Sequence, residues 1–362
     1  MARIKAFLNR KDIIFSGKRY GLDALGAMAQ GLFCTLLVGT ILNTLGQQLH
    51  IGFLTATIVA DYTIGGLASA MVGPGIAVAI GTALHAPGLV LFSLIPVGFA
   101  ANAMGGAGGP LSVYFVAIIA CEWGKLVSKE TRIDILVTPI VTILVGIGAA
   151  SLIAAPIGNA ARAVGQAIMW ATELQPFFMG ILVSALVGMT LTLPISSAAI
   201  CASFGLVGLA GGAAVAGCCA QMVGFAVMSF RENRWGGLVA QGIGTSMLQM
   251  PNIIRNPRVW IPPILASMVT GPLATCVFHL EMNAPSGGLS SGMGTCGFVG
   301  QIGIYTGWVN DMALGLRDSV TAMDWIGMGL ICFVLPAALS LLICNFLRRI
   351  GWIREGDLKL DL

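Results

Sequence analysis

This sequence predicts an all-α fold that crosses a lipid bilayer many times. Three observations carry that reading. Residues 24–60, 62–121 and 174–230 contain no Asp, Glu, Lys or Arg, and each run exceeds the roughly 20 apolar residues needed for one crossing. The composition is 57% hydrophobic and 9% charged, with a mean hydropathy of +0.90, far from the roughly 25% charged of a soluble domain. The 49 glycines suit close helix–helix approach and broken helices in lipid. Function therefore belongs among transporters, channels, membrane enzymes and membrane sensors.

The N-terminal segment carries Arg3, Lys5, Arg10, Lys11, Lys18 and Arg19 among Ile4, Phe7, Leu8, Ile13 and Phe15. This pattern predicts an interfacial amphipathic helix over 3–19, and residues 1–22 form the first unit. The apolar stretch that follows is too long for a signal peptide. Spans are expected at 24–45, 53–84 (with a break near Gly73-Pro74-Gly75), 88–103, 110–123, 135–154, 177–193, 204–229, 259–280 and 325–347. Residues 156–172 alternate Ile157, Ala161, Val164 and Ile168 with Asn159, Arg162 and Gln166, which predicts a second interfacial helix. Residues 23–172 then form an N-terminal scaffold, 173–350 a solute-binding half and 351–362 a tail. Basic residues at both ends place both termini in the cytoplasm. That demands an even number of crossings, about ten, with the remainder hidden in 194–324.

Two regions break the apolar pattern. Residues 235–258 lack charge up to Arg255 but carry Gln241, Thr245, Ser246, Gln249 and Asn252 among Gly237, Gly242, Gly244 and Pro251. Non-helical backbone at membrane depth survives only where protein or a water-filled cavity satisfies it, so a re-entrant hairpin or broken helix is expected. The second region runs His279-Leu-Glu281-Met-Asn283-Ala-Pro285-Ser286-Gly287-Gly288 and on through Ser290, Ser291 and Thr295. Glu281 lies between uncharged stretches. A carboxylate within a span is costly and by default marks a site or pathway; the plainer reading places it at a span end. His279 is either its partner or a structural hydrogen-bonder. An Asn-Ala-x-x-Gly stretch at Asn102 echoes the one at Asn283 half a chain length away, which hints at an internal repeat. The nine cysteines are scattered and read as buried apolar side chains. No nucleotide-binding motif, metal-ligand spacing or basic stripe suited to nucleic acid is present, so no cofactor, no metal and no catalytic residue is expected.

Residues 251–262, Pro-Asn-Ile-Ile-Arg-Asn-Pro-Arg-Val-Trp-Ile-Pro, resemble a stretch in the membrane (IIC) subunits of the bacterial sugar phosphotransferase system. The matching residues are Pro251, Ile253, Asn256, Pro257, Ile261 and Pro262. The opening Phe7-Leu-Asn-Arg-Lys-Asp12 and Arg19-Tyr-Gly-Leu-Asp…Gly31-Leu-Phe33 are similar to a divergent IIC-like group that includes perfringolysin-regulator-type membrane proteins. The resemblance implies a bacterial plasma-membrane protein that dimerises through its N-terminal half and moves by alternating access. One departure counts against plain sugar transport. Sugar-carrying relatives have Asn-Glu-Pro about a dozen residues before the Asn-Pro, and its Glu contacts the sugar; here that place reads Gly244-Thr245-Ser246.

The leading expectation is a permease that binds a small polar solute, with a sugar as one candidate, between 235–258 and 279–300. Glu281, His279, Asn283, Ser286, Gln249, Asn252 and Thr245 are the expected contacts. Any phosphorylation would need a separate cytoplasmic IIB-type donor. The alternatives are a membrane sensor that keeps the fold without transport, and a channel. A single Gly-rich tract per chain fits a binding site better than a symmetric filter.

Overall fold

Helices form every regular element among the residues that the computed structural model describes, 2–283 and 287–360. The chain divides into two compact units, Met1–Ala161 and Arg162–Leu362.

In the first unit, α1 (Ala2–Arg10) ends well before the expected residue 19. Asp12 takes a left-handed backbone with φ 53°, and the chain turns there before re-entering helix. The first span, α2, is Arg19–Gln47. The next is broken: α3 (Ile64–Ala70) and α4 (Val72–Ala83) meet at a 54° bend, beside the anticipated Gly73-Pro74-Gly75. The Thr63 hydroxyl starts α3 by accepting from the Gly66 amide at 3.0 Å, satisfying one of the orphan donors of a helix start. The apolar run Gly88–Val127 is 40 residues long, about 60 Å as a helix, or two bilayer thicknesses. It turns at Gly106 (φ 53°, ψ −123°), a conformation open to glycine. The turn separates α5 (Gly88–Gly105) from α6 (Gly109–Val127), which pack against each other. Helix α4 packs on both α2 and α5.

The last long helix to begin in this unit, α7 (Asp134–Thr172), has 39 residues, contains Pro139 and Pro156, and ends in the second unit. No break separates the expected span from the expected interfacial helix, since α7 runs unbroken through Pro156. A proline removes one backbone donor, and helices at membrane depth absorb that loss.

In the second unit, α10 (Gly208–Met228) is the axis, with 89% of its most apolar window buried. Helices α8 (Pro176–Thr192), α13 (Pro257–Val277) and α16 (Ala322–Arg349) pack around it. The shorter α9 (Ser197–Ser203), α11 (Phe230–Val239), α12 (Met250–Arg255), α14 (Gly287–Ser291) and α15 (Val299–Ala313) complete the unit. Val215, Ala216, Cys219, Leu280, Met282, Ile304 and Ile331 form its apolar core. Helix α16 starts on a capping box: Thr321 and Asp324 exchange side-chain and backbone hydrogen bonds, as in the S/T-x-x-E motif.

Among the described residues, six helical runs are long and apolar enough to cross a membrane, or seven with the α3–α4 pair. The chain is thus an all-α, multi-pass membrane protein. The anticipated ten crossings are more than these runs supply, partly because α5 and α6 count as one run and α8 is only 17 residues long.

Candidate functional site

The broken backbone expected over 235–258 is present. Helix continues from α11 to Gly244, then Thr245 turns extended (φ −156°, ψ 142°). A short 3-10 turn over Ser246–Gln249 leads into α12. At the interruption the Thr245 and Ser246 side chains bond locally and sideways instead of along a helix. Thr245 accepts from the Met247 amide at 3.2 Å. The Ser246 hydroxyl lies 2.8 Å from that of Thr192 on α8. Thr192 also donates to Gln221 Oε1 at 3.2 Å, and the Trp260 indole N–H donates to the same oxygen at 2.9 Å. An indole N–H can only donate, which fixes the orientation of the Gln221 amide. Gln221 Nε2 is then left buried with no partner in the described fold. A buried amide N–H without an acceptor costs about 1–3 kcal/mol, unless something else in the functioning protein accepts from it.

Residues 279–283 are also non-helical. His279 (φ 44°) and Phe298 (φ 58°) are left-handed, conformations costing about 1–3 kcal/mol in non-glycine residues. Phe298 belongs to the one-turn segment Cys296–Phe298, which touches residues 240–244. The two interrupted segments therefore meet beside α10. There Thr295 donates to Met222 Sδ at 3.5 Å and Gln301 to Cys219 Sγ at 3.2 Å. Gln301 Oε1 is buried and has no partner among the described residues. Positions 219 and 221 lie about 200° apart around α10, so Gln221 and Gln301 serve different faces of it.

The expected contact residues fall into separate groups. Thr245 stands beside the Thr192–Ser246–Gln221–Trp260 cluster. Gln249 and Asn252 belong to a second network. Gln249 donates to Gln241 Oε1 at 2.8 Å and to the Leu358 carbonyl at 3.1 Å. Asn252 donates to Gln249 Oε1 and to the Lys359 carbonyl, both at 2.8 Å. Both amides thus fasten the C-terminal tail, whose Leu358 is fully buried. Glu281 and Asn283 form a third group with Asp311. The Asn283 amide donates to Glu281 Oε2 and to Asp311 Oδ2, each at 2.9 Å, and so bridges two carboxylates. His279 has no hydrogen bond from its imidazole among the described residues. Ser286 lies outside them.

Sequence reading missed Gln221, Thr192, Trp260 and Asp311. Gln221 had a usable signal, since it is the one amide side chain within the uncharged 204–229 span, and a polar residue at that depth is costly. Asp311 had none. Only folding brings it to a residue 28 positions earlier.

In the second unit, helices thus surround a buried axis and two interrupted segments meet beside it. Residues 22–360 match the family described as phosphotransferase system, EIIC. The chain belongs to this family and is a membrane component of a phosphotransferase-type transporter. Neither a curated protein nor a solved structure shows significant similarity to it.

Proposed function

We propose that this chain is a permease that binds a small, hydroxyl-rich solute, a sugar being the class that suits it best. A separate cytoplasmic IIB-type protein supplies any phosphoryl group. The supporting observation is the uncharged cluster of Thr192, Ser246, Gln221 and Trp260, with its open Gln221 N–H donor. A sugar hydroxyl can accept from that amide while donating elsewhere, and an indole beside it offers an apolar face for a sugar ring. Glu281, with Asn283 and His279, supplies a charged set on the second interrupted segment. There a carboxylate can accept two hydroxyl protons. The working unit in this reading is a homodimer joined through residues 23–172, in a bacterial plasma membrane, with both termini cytoplasmic.

Uptake tests the reading. Cells lacking their own sugar carriers and expressing this chain with a IIB-type partner should accumulate a sugar. Gln221→Leu should lower affinity about ten- to one-hundredfold, the loss of one or two neutral hydrogen bonds, and Glu281→Gln should do the same without unfolding the protein. Unchanged affinity in both variants removes both sets from the site. The Gly244-Thr245-Ser246 departure supports a second reading, a sensor that binds without transport. Saturable solute binding with no uptake in reconstituted vesicles would decide for it.

A further inference from the structure

We propose that the N-terminal hook and the end of α6 form a binding site for one anionic phospholipid, separate from the carrier site. Its phosphate would occupy a basic cavity and an acyl chain the apolar groove beside it. The cavity holds about 420 Å³. Four cationic side chains, Arg10, Lys11, Lys125 and Lys129, line it against two carboxylates, Asp12 and Glu130, a surplus of two positive charges. The carboxylates are already committed. Arg10 and Lys11 share a single oxygen of Glu130, at 2.7 and 2.5 Å, and Arg19 holds Asp12. Lys125 is buried and bonded to the Asp12 and Leu84 carbonyls. The Lys129 ammonium and the His85 imidazole have no hydrogen-bond partner among the described residues. A compact anion with several acceptor oxygens matches this surplus.

The groove holds about 310 Å³ and is walled by Leu8, Ile13, Phe15, Ile119, Trp123 and Leu126. Phe15 is 78% and Trp123 52% exposed, so large apolar rings stand open next to a basic cavity. Stretches 8–20 and 118–130 contribute to both, and His85 and Pro87 complete the cavity wall. Glu122 in the groove wall pairs with Lys125 in the cavity wall at 3.2 Å. Residues 118–126 belong to a membrane-spanning run, which acyl chains reach and a soluble acidic peptide does not. Basic pockets at span ends are suited to phospholipid headgroups.

The test titrates the full-length chain, in uncharged detergent, with phosphatidylglycerol, matched phosphatidylcholine and inorganic phosphate while following thermal unfolding. Phosphatidylglycerol should raise the unfolding temperature saturably, and phosphatidylcholine should not. Lys129→Glu should weaken the phosphatidylglycerol response at least about tenfold, with Lys129→Gln and His85→Gln as milder variants should it fail to fold. Trp123→Ser should weaken the lipid response and leave any phosphate response unchanged. Equal responses to the two lipids, or wild-type binding by all three charge variants, overturn the proposal. An inorganic phosphate response as strong as that to phosphatidylglycerol and indifferent to Trp123→Ser assigns the cavity to free phosphate and also overturns it.

Discussion

Asp12 shows how much one side chain controls at the start of this chain. Its carboxylate receives both terminal nitrogens of Arg19, at 3.0 and 2.5 Å, while its carbonyl accepts from the buried Lys125 at 2.7 Å. The hydrogen bond from Arg19 is the main cause holding the Asp12 carboxyl below its ordinary value of 3.8. A depressed folded-state value means the carboxylate stabilises the hook fully above the ordinary value. That contribution fades as pH falls below about 4. The protection of amides 8–20, measured as exchange relative to the intrinsic rate at each pH, should therefore be high at about pH 6 and fall towards about pH 3, with Asp12→Asn flattening the response. An acid response that persists in Asp12→Asn would assign it to other groups. Glu130, held low chiefly by its hydrogen bond to Lys11, is the first control.

Glycine sets how closely the helices of the second unit approach. A Cβ added at Gly217 on α10 would overlap the Ser184 carbonyl of α8, and one at Gly188 would stand 2.7 Å from the Gly217 carbonyl. Backbone cannot give way as a side chain can, so Gly217→Ala should cost about 1–3 kcal/mol of overpacking. Gly148 on α7 has nothing within 4 Å of such a Cβ, and Gly148→Ala should be neutral or stabilising by up to about 1 kcal/mol. Thermal unfolding of the two variants in one detergent checks this; equal shifts would refute the steric account. Element breaks were legible where chemistry was local. The bend before Val72 followed from Gly73-Pro74-Gly75, and the interruption at Thr245 from polar residues that bond sideways. The unbroken course of α7 through Pro156 was not legible, because an isolated proline reads as a helix end in water and lipid tolerates it. The same limit applies to the candidate site. Glu281 and Asn283 stood out by local polarity, whereas the Asn283–Asp311 bridge and the Trp260–Gln221 bond join residues 28 and 39 positions apart. The bonds of Gln249 and Asn252 to the tail carbonyls at 358 and 359 were not legible for the same reason, since residues 107 and 109 positions apart meet only on folding.

For the whole molecule, membership of the EIIC family raises the question of where phosphoryl chemistry would occur. A group that carries a phosphoryl must meet a soluble donor and then the solute. Cys121, Cys201, Cys218, Cys219, Cys296, Cys332 and Cys344 are buried, while Cys34 and Cys276 lie within apolar spans. None has the electropositive, water-accessible surroundings of a reactive thiolate. In the proposed reading the solute path and the phosphoryl source are separate tasks. Reconstituted vesicles containing the chain alone should bind and equilibrate the solute unmodified. Solute phosphate should form only when a phosphorylated IIB-type protein is added, its phosphoryl passing to a solute hydroxyl. Mass analysis of the internal solute reads this directly. Solute phosphate produced by the chain with only a small-molecule phosphoryl donor would place a phosphoryl-carrying residue inside it. The three described histidines, His50, His85 and His279, would then be the first to replace.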